Sequence, residues 1–585
     1  MAGIWSVLKY LQPDKGYGKL SFAHPYCPLE TIADATGGMA AKELIARSHA
    51  IASIAKAVSR LIEDEEEGMR ALAKALHILI EDRMRLMAVT VDSPTKLGYG
   101  TIRPDPGPYP LDRYCAETLD RAAPEFGVIR GLCATGWQLD PSFNARLKIR
   151  IKILAAAALV SARSFFIPLR RGVRKVTPIE TGALLENFVA PELLEALADA
   201  SSAAGYNDPD QYTVLVERDN ALPSHGFRFI QPGKLRVPVA SWCAKVMIPT
   251  WRFSIQMAGH AITGNKETCC AAFEALRIAA AALTVWPKAY NFRSRTVADN
   301  TEYLPVSAIK GALFRKFGAK FVRWPGTEID TFGSLLANSA HDHFISGGHY
   351  QSATFSTDWR APEHGRTIGV IQADKRLANP QLVDPDLRRR LEELHRDRKM
   401  LVYFGSGTET NMAPFIASVF RAVMEVFQQS DGWFLVIKSK RYTTFMDLIR
   451  SMSDFPKWVS DERIVIIDYP PEPTDEICPT GWLAAQMDLG TGYFGSTLAE
   501  CTGRGYPYCT HLPVIYDTPF MNKLTQHGVV VRDPDGFKSR LASALAGDVP
   551  CIPQDWGSWA FDPYQDDRPL ERLAALLMDK AQPIR

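Results

Sequence analysis

The last two hundred residues constrain the fold most, because short apolar runs alternate there with helix-like segments. MLVYFGSG (400–407), WFLVIKS (433–439), RIVIIDY (463–469), DLGTGYFG (488–495) and PYCTHLP (507–513) are apolar along nearly their whole length. A strand with one wet face alternates; a continuous apolar strand belongs to a sheet covered on both sides. The stretches between them, APFIASVFRAVMEVFQQ (413–429), YTTFMDLIRSM (442–452), GWLAAQM (481–487), STLAECTGRG (496–505) and, after GVVVRDPDG (528–536), FKSRLASALAG (537–547), read as crossover helices. Such alternation predicts a parallel α/β sheet.

A second α/β rhythm precedes it from about residue 205. YTVLVERD (212–219), AKVMIPTW (244–251), AALTVWP (281–287) and AKFVRWPG (319–326) read as strands, with helices at KETCCAAFEALRIAAA (266–281) and VSAIKGALFRKF (306–317). Residues 1–200 read as mainly helical, with a strand at LMAVTVDSP (86–94) and a Pro/Gly-rich connection at 98–114. The expected organisation is a helical region (1–200), an α/β domain (201–375) and a second α/β domain (376–585). Ligands of such sheets bind at the carboxyl ends of the strands.

Composition narrows the class. With 67 basic and 65 acidic side chains, net charge +2, the chain carries no global basic field of the kind nucleic-acid binders use. Ten cysteines without a C-x-x-C pair point to a reducing compartment and against a zinc ribbon. The opening MAGIWSVLKYLQPDKG lacks a signal-peptide pattern, and no run reaches the roughly 18 apolar residues of a spanning helix. The stretch Arg146–Lys175 has an apolar middle broken by Arg163 and basic flanks. It reads either as a buried Ala-rich helix or as an interfacial helix resting on anionic lipid.

Three short motifs carry chemistry. YFGSGTETN places Gly405, Ser406 and Gly407 between a strand and a helix, where backbone amides crowd toward an anion. It is neither a P-loop nor a full G-x-G-x-x-G, since Thr410 stands at the third glycine. LVIKSKRY ends a strand in Lys438, Lys440 and Arg441, suited to a phosphate. GSTLAECTGRGYP puts Ser496 and Thr497 at a helix start and Glu500 one turn in. There the hydroxyls cap amides and the carboxylate is favoured by the helix dipole.

This series resembles the donor-binding domain of GT-B glycosyltransferases that build bacterial surface polysaccharide. The resemblance spans about 400–550. It implies two Rossmann-like domains facing a cleft and sugar transfer from a nucleotide-sugar to a glycan acceptor. It further implies no cofactor and no metal. Gly405, Ser406, Gly407 and Lys438 would then meet the donor phosphates, Glu500 the ribose, and Ser496 and Thr497 phosphate or sugar. The resemblance also implies a cytoplasmic enzyme, at the inner face of the membrane if 146–175 is interfacial. Many relatives have Pro-His after the strand lysine, where this chain has Ser439-Lys440.

The resemblance further implies a base or nucleophile from the first domain. The acids near predicted strand ends are Asp92, Glu217, Asp219, Glu328 and Asp330, with Glu328 and Asp330 in RWPGTEIDTFG best placed. His341, His343 and His349 keep open an epimerase or hydrolase of the same fold. A non-catalytic glycan-binding protein is the remaining alternative. The Asp-Pro-Asp triplets led by Asp208, Asp384 and Asp533 read as N-caps followed by proline at the first helical position.

Overall fold

A computed structural model describes residues 44, 46–63, 72, 76, 143–186, 191–206, 211–216, 227–299, 305–323, 341–349, 365–405, 413–439, 445–469, 477–493, 496–511, 519–531 and 533–578. The expected strand at 86–94 with Asp92, the Pro/Gly-rich connection at 98–114, and Glu217 and Asp219 lie outside them.

Two all-parallel sheets form the frame. The first orders its strands β3–β2–β1–β4–β5–β6–β7. They are β1 (Ile179–Leu185), β2 (Tyr212–Leu215), β3 (Phe227–Ile230), β4 (Phe292–Asp299), β5 (Lys320–Arg323), β6 (His343–Ser346) and β7 (Gly365–Thr367). The second runs β10–β9–β8–β11–β12–β13. Its strands are β8 (Lys399–Phe404), β9 (Trp433–Lys438), β10 (Ile464–Ile467), β11 (Leu489–Tyr493), β12 (Tyr508–His511) and β13 (Val530–Val531). Each sheet starts in its middle, builds outward and then reverses, so each has a switch point: β1/β4 in the first and β8/β11 in the second. Two parallel α/β sheets are the layout that the resemblance to the GT-B fold implies.

Burial follows the pleat. In the first sheet Leu184, Val297 and Phe321 join one core, while Ala183, Leu185, Ala298 and Val322 join the other. In the second, Val402, Phe404, Val436 and Ile467 face one way and Leu401, Tyr403, Leu435 and Ile437 the other. Neighbours on a strand point to opposite faces, so both faces need cover.

The first sheet begins at Ile179, inside the stretch read as mainly helical. Upstream of it stand helices α1 (Ile51–Ile62) and α2 (Phe143–Arg171); α3 (Pro191–Ala203) follows β1. Two expected strands are helices instead. AKVMIPTW falls in the helical run that leads through a π turn (Cys243–Met247) into α4 (Ile248–Thr263). AALTVWP is part of α5 (Lys266–Asn291), which is buried along nearly its whole length. A short continuous apolar run reads alike as a buried strand or a buried helix, and here length decided for helix. Helix α6 (Pro305–Arg315) stands beside α5 on the sheet, and α1, α2 and α4 form a further layer outside α5.

Against expectation, Ile149–Arg171 and Lys266–Asn291 are both long and apolar enough to cross a membrane by length and composition. An averaged window tolerates Arg163 at its middle, which the count of an unbroken run did not. The α5 window is 94% buried in the protein, the mark of a core helix; that of α2 is only 28% buried.

A linker leads to α7 (Pro385–Asp397), whose Asp384 caps it by accepting from the amides of Asp386 and Leu387. Further helices are α8 (Ala413–Phe427), α9 (Thr480–Gln486), α10 (Ser496–Gly503), α11 (Pro534–Leu545), α12 (Gln554–Phe561) and α13 (Pro569–Leu577). Asp533 caps α11 the same way, accepting from the Gly536 amide; Asp208 is outside the described residues. The last helix crosses back. Leu570, Leu573 and Leu577 of α13 share a core with Leu194 and Leu197 of α3, covering the first sheet. Asp374 of the linker accepts from the Leu570 amide at 3.0 Å, and Arg376 pairs with Glu571 at 2.8 Å.

Candidate functional site

On the second sheet, β8 pairs on both sides of its end: Phe404 lies opposite Lys438 of β9 and opposite Gly492 of β11. The expected donor motifs therefore converge on one switch point. Lys438 is the last residue of β9, its side chain buried with Nζ 5.1 Å from the centre of the Tyr469 ring, a cation–π distance. Ser496 opens α10; Thr497 and Glu500 follow on its first turns, both half-buried.

Gly405 serves packing as well as any ligand. Its amide is donated to the Lys438 carbonyl at 2.8 Å, so that amide is committed to the sheet. A Cβ there would lie 2.5 Å from the Phe445 ring. That ring is stacked on Tyr403 and meets Phe420 edge-on, with no room to retreat. Gly405→Ala is expected to cost about 1–3 kcal/mol by overpacking, read as a fall in the urea midpoint at unchanged slope. An unchanged midpoint would show that the ring yields. Ser406 and Gly407 are outside the described residues.

On the first sheet, Glu328 and Asp330 also fall outside the described residues. The carboxylate that the structure places at this sheet's switch point is Glu186, directly after β1. Its amide is donated to the Ala298 carbonyl of β4, and β4 ends at Asp299. Glu186 Oε2 meets Lys310 Nζ at 2.6 Å and Lys288 Nζ at 3.0 Å; Lys310 Nζ also reaches Asp299 Oδ2 at 2.7 Å. Two carboxylates and two lysines thus interlock, with Glu186, Asp299 and Lys310 buried and Lys288 half-buried. Burial pushes the Glu186 carboxyl up, but the pull of Lys288 and Lys310 outweighs it and holds the group below its usual range. Burial likewise disfavours the charged form of Lys310, and Asp299 and Glu186 overcome it, holding the ammonium above its usual range.

One oxygen is left over. Glu186 Oε1 is buried with no hydrogen-bond partner, although a buried carboxylate ordinarily satisfies both oxygens. Glu186 lines a cavity of about 440 Å³, together with Lys288, Lys310 and the α2 side chains Arg163, Arg170 and Arg171. The cavity is therefore cationic at its walls, with Glu186 and Thr284 also in its lining.

Sequence reasoning missed this cluster. The signal was ETGALLENF (180–188), an apolar run ending in an acid, but it lay in the part read as helical. Lys288, Asp299 and Lys310 come from two helices and another strand, and no linear pattern joins them.

The histidines do not converge. His341 is buried with its ring stacked on Phe321, centres 4.4 Å apart. His349 Nδ1 is 3.4 Å from the Thr367 hydroxyl. No group of three metal-ligating side chains occurs among the described residues.

No family model and no curated protein matches the chain. Among solved structures it is similar to the S. aureus MnaA–UDP co-structure, with TM-score 0.41 and 12% identity over 69% of this chain and 98% of that one. It is also similar to the wall teichoic acid polymerase TagF, with TM-score 0.40 and 11% identity over 74% and 98%. A third is UDP-GlcNAc 2-epimerase from Neisseria meningitidis bound to UDP-GlcNAc, with TM-score 0.40 and 9% identity over 69% and 100%.

Proposed function

We propose that the chain transfers a sugar from a nucleotide-sugar donor held on the second sheet to a hydroxyl acceptor held on the first. One observation carries the reading. Two switch points in one chain each gather ionisable side chains: Lys438 and Glu500 on one, and the lysine-held Glu186 with its unpartnered oxygen on the other. Lys438 balances leaving-group charge, and Glu500 accepts from ribose hydroxyls.

Glu186 takes the role of base that the sequence suggested for Glu328 or Asp330. Its Oε1 accepts the acceptor hydroxyl, oriented by the lysines on Oε2. A carboxylate held low is a weak base, yet the same lysines supply a remedy. An anionic acceptor that engages Lys288 draws it from Glu186 and removes one of the two pulls that hold the carboxyl low, so the carboxyl moves upward while Lys310 keeps its place on Oε2. The acceptor in this reading is a surface-polysaccharide glycan carrying an anionic group.

Thermal stabilisation by UDP, GDP, CMP, ADP and dTDP tests the donor half. A nucleotide at a hundredfold excess over its Kd is expected to stabilise the native chain by about 2.7 kcal/mol. Glu500→Ala is expected to lose most of that shift. If no nucleotide stabilises the native chain, the donor site is refuted. Product formation without acceptor would instead favour an epimerase, if the product is an epimerised nucleotide-sugar, or a hydrolase, if it is free sugar.

A further inference from the structure

The outer layer of the first domain presents an apolar face that meets the first-domain cavity at Phe166 and extends well beyond it. Of 14 exposed large apolar side chains among the described residues, 11 lie on α2 or on the helical run that ends in α4. On α2 they are Leu147, Ile151, Leu154, Phe165, Phe166 and Leu169, with Leu169 at 65% exposure. The other helix adds Val239, Ile248, Trp251, Ile255 and Ile262, with Ile255 at 73%. Most recur at three- and four-residue steps, so each helix carries one stripe.

The stripes lie side by side. Trp251 donates its indole N–H to the Ser161 carbonyl at 3.1 Å, and Trp242 does the same to Ser164 at 2.8 Å. Phe165 stands 6.5 Å from Trp251, ring centre to ring centre. Arg150, near the start of α2, lies beside Cys269, just past the end of α4. The helices therefore run antiparallel, and α2 alone is about 44 Å long at 1.5 Å per residue. The opposite side of α2 buries Ile153, Ala156, Ala157 and Val160 in the domain core. The helix belongs to the protein on one side and is uncovered on the other.

Charge identifies what covers it. Across the whole chain acids and bases nearly balance, 65 against 67. Yet residues 141–179 contain nine Lys/Arg and no Asp/Glu, and 227–266 contain six Lys/Arg and no Asp/Glu. Arg170, Arg174, Lys175, Lys245 and Arg252 are exposed. An apolar stripe with aromatic rings, on segments that carry cations and no acids, complements an anionic lipid surface: apolar side chains enter the acyl boundary and cations meet headgroups. A second copy of the same face would set cation against cation.

We propose that α2 and the helical run ending in α4 together form a docking surface for anionic membrane, with α2 lying in the interface. The surface adjoins the cavity, because Phe166 and Arg170 belong to both. A docked chain holds its first-domain site at the lipid headgroups, within reach of an acceptor anchored there.

Flotation of the full chain with vesicles tests this without reference to turnover. The native chain is expected to float with phosphatidylglycerol-containing vesicles, to remain behind with pure phosphatidylcholine, and to bind more weakly at about 0.5 M than at about 0.1 M salt, where the screening length is roughly twice as long. Ile151→Asp with Ile255→Asp, and separately Lys175→Glu with Lys245→Glu and Arg252→Glu, are each expected to weaken binding about tenfold or more. All five positions are exposed, and the native melting profile checks that both variants fold. Failure of the native chain to float with anionic vesicles overturns the proposal, as does undiminished flotation of both folded variants. A native dimer, seen by light scattering, that Ile151→Asp with Ile255→Asp dissociates would give the face to a second copy and overturn it equally.

Discussion

Glu186→Gln is expected to lower turnover by roughly 10²- to 10⁴-fold, the range for loss of a positioned general base. The amide keeps the shape of the side chain and an oxygen toward the lysines but cannot take a proton. Lys310 retains Asp299 at 2.7 Å, so the cluster keeps a charge partner and the fold is expected to hold. Stabilisation by the nucleotide bound at the Glu500 site should persist, separating lost chemistry from lost donor binding. Turnover within a few-fold of the native rate would remove Glu186 from the reaction and return the base to the 324–340 segment with Glu328 and Asp330.

Lys310→Met is the substitution with the largest expected cost in stability. The ammonium neutralises Glu186 and Asp299 at once, and both carboxylates are buried. Removing one member of a buried charge set leaves the others uncompensated, at a cost of about 3–5 kcal/mol. Urea denaturation followed by far-UV signal should show the first-domain transition moving to lower urea, with the second-sheet transition little changed. A loss below about 1 kcal/mol would mean that water reaches these carboxylates.

The cluster also sets a pH window. The folded Glu186 carboxyl lies below its ordinary value of 4.5, so its contribution is present above that pH and is lost as pH falls through the folded value. The folded Lys310 ammonium lies above 10.5, so its contribution is present below that and lost as pH rises through the folded value. Native stability minus that of Lys310→Met should therefore be widest between these limits and shrink on the acid side.

Legibility in the sequence followed the physical range of each signal. Every strand expected after residue 400 forms, because Val, Ile, Leu and Phe runs bounded by Gly, Pro and Asp specify a doubly covered strand locally. Asp384 and Asp533 cap their helices as read, since a cap spans three residues. AKVMIPTW and AALTVWP failed because seven or eight mostly apolar residues are too few to show a period. Only packing against the sheet and against α2 made them helices.

The same division holds for function. The sequence by itself determined the alternation that makes the second parallel sheet and the strand-end positions of Gly405 and Lys438. It also set Glu500 on the first turns of α10, since these depend on neighbours a few residues away. Tertiary structure alone decided that Glu186, Lys288, Asp299 and Lys310, spread over 125 positions from 186 to 310, share one buried charge cluster at a switch point. It alone set α4 beside α2, turning two separate apolar stripes into one face. Electrostatics and burial act through space, over ångströms, and the chain's own order does not record which distant residues folding will bring that close.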